Sequence, residues 1–189
     1  MTDDSASSRR SSAQTQKTKS NLIVLVGFMG AGKTTVGQAL ARRLHAQFLD
    51  LDDLIQAHDG RTIPEIFEQS GETAFRAIEQ QVLRKIALSP PLMTTVLSLG
   101  GGAFIDNTNR ELLRENKVHT VFLDAPAEEL FRRCAQPEVI RPLLGEREHF
   151  DQLLEARRPT YLKASLCVQT ADRDIVSIAE EIILRLGLI

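Results

Sequence analysis

Two carboxylates one residue apart, a lysine and a threonine closing a glycine-rich octapeptide, and a few scattered arginines are the groups in this chain that could do chemistry. The octapeptide is Gly27-Phe28-Met29-Gly30-Ala31-Gly32-Lys33-Thr34, which fits G-x-x-x-x-G-K-[ST]. Glycines at that spacing let successive backbone N–H groups curl around phosphate oxygens, with the positive end of a following helix behind them. Lys33 then reaches the β- and γ-phosphates, and the Thr34 hydroxyl is placed to ligate Mg²⁺. The spacing predicts that the chain binds a nucleoside triphosphate with magnesium.

The carboxylates are Asp50 and Asp52, in Phe48-Leu49-Asp50-Leu51-Asp52. Alternation along a strand puts both on one side at its carboxyl end, the edge at which ligands bind in open α/β sheets. One could hold Mg²⁺, directly or through water, while the other orients and deprotonates a substrate hydroxyl; the competing role is helix capping before Leu54-Ile55. Asp124 also closes an apolar run, but Ala125-Pro126 follows at once, which predicts a helix N-cap instead. In Leu99-Gly100-Gly101-Gly102-Ala103 three positions lose their side chains, so a ligand or another backbone can come close. Arg76, Arg157 and Arg141 are the cations that suit an acidic substrate, because a guanidinium grips a carboxylate bidentately. Arg141 lies in Ile140-Arg141-Pro142-Leu143-Leu144-Gly145, a Pro- and Gly-bounded segment suited to a lid, from which an arginine could neutralise transferring phosphoryl oxygens.

These groups need a scaffold. Leu22-Ile23-Val24-Leu25-Val26 is an unbroken apolar run, as in a strand buried on both faces of a parallel sheet. It leads into the glycine-rich turn and a helix over 33–44, with Val36, Leu40 and Leu44 on one face. Further strands are predicted at 48–49, 96–99, 120–123 and 166–168. Helices are predicted near 52–58, 63–70, 72–88, 108–115, 126–135, 149–158 and 173–187. Strands separated by helices mean βαβ units, hence one α/β domain with a mostly parallel sheet covered on both faces.

Composition narrows the function classes. Twenty-three Lys and Arg against 25 Asp and Glu give a formal charge of −2, which argues against a coat for nucleic acid or an anionic membrane. No apolar run approaches the ~20 residues that span a bilayer. Cys134 and Cys167 lie far apart without a CxxC, and the four histidines (45, 58, 119, 149) are scattered; reduced thiols and surface or loop histidines are expected, and no zinc site. Residues 1–20 contain no Leu, Ile, Val or aromatic residue, so they are read as a disordered tail ahead of a single domain over 21–189. No apolar segment for secretion follows their basic residues, and Asp3 and Asp4 argue against an organelle transit peptide, so a cytoplasmic protein is expected.

In order along the chain, GFMGAGKTTVG, FLDLD, GRTIPEIFEQSGETAFRAIE, LSLGGGA, RPLL and RRPTY resemble the shikimate kinase family, of the nucleoside-monophosphate-kinase-like branch of phosphate-loop enzymes. The resemblance covers residues 22 to about 186. It implies a P-loop NTPase fold, a three-layer α/β/α arrangement around a five-stranded parallel sheet in the order 2-3-1-4-5. A substrate-binding region would span roughly 53–83 and a lid roughly 136–149. Carried over by position, Gly30, Ala31, Gly32, Lys33, Thr34 and Thr35 form the ATP phosphate cradle. Thr34 sits on Mg²⁺ and Asp50 acts on the metal through its bound water. Asp52 binds the acceptor hydroxyls and serves as base, Arg76 and Arg157 grip the shikimate carboxylate, and Gly101 lines that pocket. Arg141 closes from the lid onto the ATP phosphates, and Arg133 or its neighbour Arg132 stacks on adenine.

The implied reaction is ATP-dependent phosphorylation of the shikimate 3-hydroxyl, by a monomer that uses ATP, shikimate and Mg²⁺ and engages neither nucleic acid nor membrane. Two alternatives stay open: a kinase for another acceptor, such as a gluconate-like polyol acid or a nucleoside monophosphate, and a nucleotide-binding regulator without catalysis.

Overall fold

The computed structural model describes residues 20–89, 92–135 and 147–188. Five strands form one parallel sheet in the order β2-β3-β1-β4-β5. They are β1 (Leu22–Val26), β2 (Gln47–Asp50), β3 (Thr95–Ser98), β4 (His119–Asp124) and β5 (Leu166–Gln169). All five residues of β1 are buried, which is why that run carries no polar residue, whereas edge strand β2 is only partly covered. The predicted order therefore holds.

Helices α1 (Lys33–Arg43) and α7 (Ile175–Leu186) pack together on one side of the sheet. On the other, a short 3₁₀ turn at Ala103–Ile105 meets α3 (Ile63–Leu88), α4 (Asn107–Glu115) and α6 (Arg147–Tyr161). The remaining helices are α2 (Leu51–Asp59), packed on α3, and α5 (Ala127–Cys134), packed on α6. Helix α3 begins with a capping box between Thr62 and Glu65 and is broken at Gly71, whose φ of 77° is left-handed. Gly71 is non-helical, so the two helical segments read from the sequence at 63–70 and 72–88 hold, meeting at a glycine kink within α3.

Register brings the chemistry together. Asp50 pairs with Ser98 and Ser98 with Leu25, so β2, β3 and β1 end at one level. Their carboxyl ends release Asp52, the glycine run and the phosphate loop into one crevice beside the central strand.

Several expectations need correction. Asp124 does not cap α5: the cap position is Pro126 and has no side-chain cap bond. The Asp124 carboxylate is instead buried and accepts from Arg158 Nη2 at 2.6 Å and Gln169 Nε2 at 3.0 Å. Packing of α6 supplied a stronger partner than its own helix start. His119 opens β4 and is half-buried, so it is not a loop histidine. Helix α6 continues through Pro159 to Tyr161, although a proline past the first turn gives up one helix hydrogen bond and crowds the carbonyl four residues back. The 3₁₀ turn is too short to have shown a period in the sequence. Arg141 and the tail up to residue 19 lie outside the described residues, as do residues 136–146 of the lid expected over roughly 136–149, whose last three residues open α6.

Candidate active site

The phosphate loop is built by backbone. Gly30 and Gly32 hold φ of 80° and 84°, and Gly32 occupies the N-cap position of α1 without a side-chain cap bond. Several N–H groups at that helix start are therefore left to an anion, and the helix dipole favours negative charge there. A β-carbon at Gly30 would stand 2.6 Å from the Leu130 carbonyl oxygen and 2.8 Å from Cys134 Sγ, so both conformation and space require glycine. Ala31 is buried, while Thr34 and Thr35 are exposed on the first turn of α1. Lys33 donates to the carbonyls of Gly27 at 2.9 Å and Phe28 at 3.1 Å, which folds its ammonium back over the loop.

Lys33, Thr34, Asp50, Asp52, Arg76, Gly101 and Arg157 all line one cavity of about 260 Å³, together with Met29, Ser98, Leu99, Gly100 and Gly102. Gly30, Ala31, Gly32 and Thr35 are not among its lining residues, though they adjoin Met29, Lys33 and Thr34 in the chain. Asp50 does two jobs: its Oδ1 accepts from the Asp52 N–H at 3.0 Å as the N-cap of α2, while the residue also faces the cavity. The capping role and the cavity role weighed for this pair coexist in one side chain.

Asp52 stands on the first turn of α2. Burial pushes its carboxyl above the usual carboxylate range and the like charge of Asp50 adds to this, against the pull of Lys33 and Arg76. A carboxylate with a raised affinity for protons, in a cavity with phosphate-binding groups, is suited to accept one.

The glycine run explains itself once the neighbours are seen. A β-carbon at Gly100 would lie 2.9 Å from Asp52 Oδ1, one at Gly101 3.7 Å from Arg157 Nη1, and one at Gly102 2.6 Å from Arg76 Nη2. Gly100 and Gly102 each clear the space of one polar side chain, whereas the contact at Gly101 is an ordinary one.

Two residues that the sequence motifs contain, but that carry no role in the sequence reading, stand beside the cavity's arginine and glycine. Glu79, buried, accepts from Arg76 Nη1 at 2.9 and 3.0 Å and so aims that guanidinium, which also touches Glu72. Burial raises the Glu79 carboxyl while Arg76 pulls it back down. Its signal was the i, i+3 spacing from Arg76 on one helix face. Tyr161 is buried and its hydroxyl donates to the Gly101 carbonyl at 2.5 Å; its signal was a polar-tipped aromatic one turn beyond Arg157. The adjacent arginines on α5 both pair with Glu129; Arg132 is exposed, while Arg133 also donates to the Thr170 carbonyl at 3.0 Å.

The donors on this cavity, a threonine hydroxyl and carboxylates, are hard oxygens. Asp50 and Asp52 also crowd like charge that a small divalent cation would relieve. Among the described residues no cluster of three or more His, Cys, Asp or Glu could cage a metal, and an ion held largely by water and phosphate oxygens needs none. No helix among them is long and apolar enough to cross a membrane.

A parallel sheet in this order, with a glycine-built anion cradle at the end of its middle strand, defines a phosphate-loop nucleotide-binding protein. Comparison with known proteins narrows the class. A sequence profile described as shikimate kinase matches residues 29–187, and the chain belongs to the shikimate kinase family. It is 44% identical over 160 residues to shikimate kinase of Cereibacter sphaeroides, covering 83% of this chain and 78% of that one. Against shikimate kinase of Enterococcus faecalis it is 41% identical, covering 87% and 97%. Among solved structures, the Acinetobacter baumannii shikimate kinase in complex with shikimate aligns with a TM-score of 0.77 at 37% identity, covering 88% of this chain and 93% of that one. A gluconokinase of Sinorhizobium meliloti aligns with a TM-score of 0.57 at 20% identity, covering 90% and 92%, and shares the fold.

Proposed function

We propose that this kinase transfers the γ-phosphoryl group of ATP to the 3-hydroxyl of shikimate, as a cytoplasmic monomer, giving shikimate 3-phosphate and ADP on the route to chorismate and the aromatic amino acids. The observation that carries the reading is the single cavity in which Asp52 lies among Lys33, Arg76 and Arg157.

The acceptor oxygen forms a bond to the γ-phosphorus as the bond to the β,γ-bridging oxygen breaks, and the hydroxyl proton passes to Asp52. Lys33 and the loop N–H groups hold the phosphates and offset charge on the moving group. Arg76, aimed by Glu79, and Arg157 anchor the carboxylate and so turn the 3-hydroxyl toward Asp52. Gly101 gives the ring room. Thr34 and Asp50 would hold Mg²⁺, whose charge would offset that of the phosphates. Arg133, beside Thr170 at the end of β5, is the adenine contact of this reading. Arg141, outside the described residues, is assigned in this reading to offset charge on the ATP phosphates.

A coupled assay of ADP release with shikimate, gluconate and nucleoside monophosphates as acceptors tests it. Shikimate is expected to be preferred by at least two orders of magnitude in kcat/KM, because a site built on buried polar groups rejects acceptors that leave them unpaired. Equal turnover of gluconate, or no ADP release with any acceptor, overturns it.

A further inference from the structure

The two arginines of the proposed carboxylate anchor are held in different ways. Arg76 is paired with Glu79 and Glu72, so much of its charge is already answered by the protein. Arg157 has no carboxylate within 4.0 Å among the described residues. Its neighbour is a neutral phenol: Arg157 Nη1 and Tyr161 Oη both stand over Gly101, where a β-carbon would lie 3.7 Å from each, and the guanidinium is near enough to act on the phenol. The two residues are one helical turn apart on α6, so their side chains share a face.

The phenol is itself fixed. Its ring is fully buried and stacked on Phe122 with centroids 5.3 Å apart, and its O–H is committed to the Gly101 carbonyl. With the proton so directed, the hydroxyl lone pairs are left for a donor such as the guanidinium. Burial pushes the phenol up to about 12, so it stays a donor through the neutral range. The Gly101 carbonyl that it holds lies at the middle of the run whose ends clear Asp52 and Arg76.

We infer that Tyr161 is a positioning residue for the acceptor: its hydroxyl pins the glycine strip and orients Arg157 without neutralising it, so that Arg157 supplies the uncompensated charge that draws the substrate carboxylate. The inference rests on the functional reading above. A carboxylate in place of the phenol would orient Arg157 equally well and forfeit that charge.

The test is Tyr161→Phe, which keeps the ring and removes the hydroxyl. Loss of one such hydrogen bond corresponds to roughly a three- to tenfold rise in KM for shikimate, with KM for ATP unchanged and Tm close to wild type. The penalty should disappear when shikimate is replaced by its uncharged carboxamide, since neither enzyme then has a carboxylate to place. Phe122→Leu disturbs the stacked ring but spares the hydroxyl; a lower Tm with an unaltered shikimate KM is expected of it. An unchanged shikimate KM in Tyr161→Phe overturns the inference, as does a rise shared equally by ATP or retained with the carboxamide. Wild-type enzyme inert toward shikimate overturns the functional reading itself.

Discussion

The two ends of the cavity are made differently. The phosphate end is one contiguous stretch, Gly27–Thr34, whose working parts are backbone N–H groups held by left-handed glycines. The acceptor end draws Asp52 from α2, Arg76 from α3, the glycine run after β3 and Arg157 from α6, and works through side chains that other side chains must aim. A contiguous backbone site needs only the strand and helix that flank it. A composite site needs the whole sheet in register, plus partners such as Glu79 and Tyr161. Damage to the first should therefore appear in nucleotide binding, and damage to the second in acceptor binding and turnover.

The largest effect expected of a single change is that of Asp52→Asn, which removes the proposed base. Turnover should fall by about 10²- to 10⁴-fold, the usual range for a positioned acid–base group, while ATP affinity measured by calorimetry stays near wild type. A parallel loss of ATP binding would show that the two ends are not separable. The same variant has a stability signature. The Asp52 carboxyl is raised in the folded state by burial and by Asp50, so between its unfolded and folded values the native state holds more protons, and stability falls as pH rises. Asn should therefore raise Tm at pH 7 and lose that advantage below the ordinary Asp range near 4. In the wild type, kcat/KM for shikimate should climb with pH on an acid limb lying above the ordinary Asp value.

Matched glycine replacements sharpen the contrast. Gly30→Ala places a methyl 2.6 Å from a backbone carbonyl at a φ of 80°, where neither the loop nor α5 can yield cheaply. Backbone strain of this kind costs on the order of 1–3 kcal/mol, and ATP affinity should drop at least tenfold. Gly102→Ala places its methyl 2.6 Å from the tip of Arg76, a side chain that can swing aside. Here Tm should barely move, KM for shikimate should rise roughly tenfold from loss of a bidentate, charge-assisted contact, and KM for ATP should hold. Identical kinetic signatures from the two variants would break the division drawn between the ends.

That division also explains what was legible in the sequence. The phosphate loop could be read because its determinants are neighbours in the chain, and the sheet because a strand buried on both faces must be apolar along its length. Asp50 was readable because it closes a strand. Asp52, expected on the same strand face, stands instead on the first turn of α2, because the strand ends at Asp50, and the cavity is what joins the two. The support was not legible. Glu79 looks like any helical carboxylate until α3 packs against the sheet, and Tyr161 like any core aromatic until its hydroxyl is seen on Gly101. Asp124 was misread for the same reason: Pro126 made a local cap plausible, whereas its actual partners, Arg158 and Gln169, lie 34 and 45 residues away. Partners fixed by tertiary contact leave no local pattern.

Arg157 and Arg158 give the finest form of the comparison, since they are adjacent and chemically identical. Arg157 faces the cavity, while Arg158 turns to the other side of α6 and pairs with the buried carboxylate of Asp124. Arg158→Ala leaves that carboxylate with Gln169 as its side-chain partner. An under-satisfied buried carboxylate costs about 1–3 kcal/mol, with the lower figure expected because Arg158 is half exposed and its attraction is screened. About 1 kcal/mol corresponds to a fall in Tm of roughly 2–4 °C for a domain of this size. Both Michaelis constants should stay within about twofold of wild type, the range of a surface change away from the site. Arg157→Ala should do the reverse, leaving Tm nearly unmoved and raising KM for shikimate by well over tenfold, as expected of a charged hydrogen bond made in a desolvated pocket. If Arg158→Ala weakened shikimate binding as much as Arg157→Ala, the direction in which each side chain leaves α6 would not be what separates anchor from scaffold.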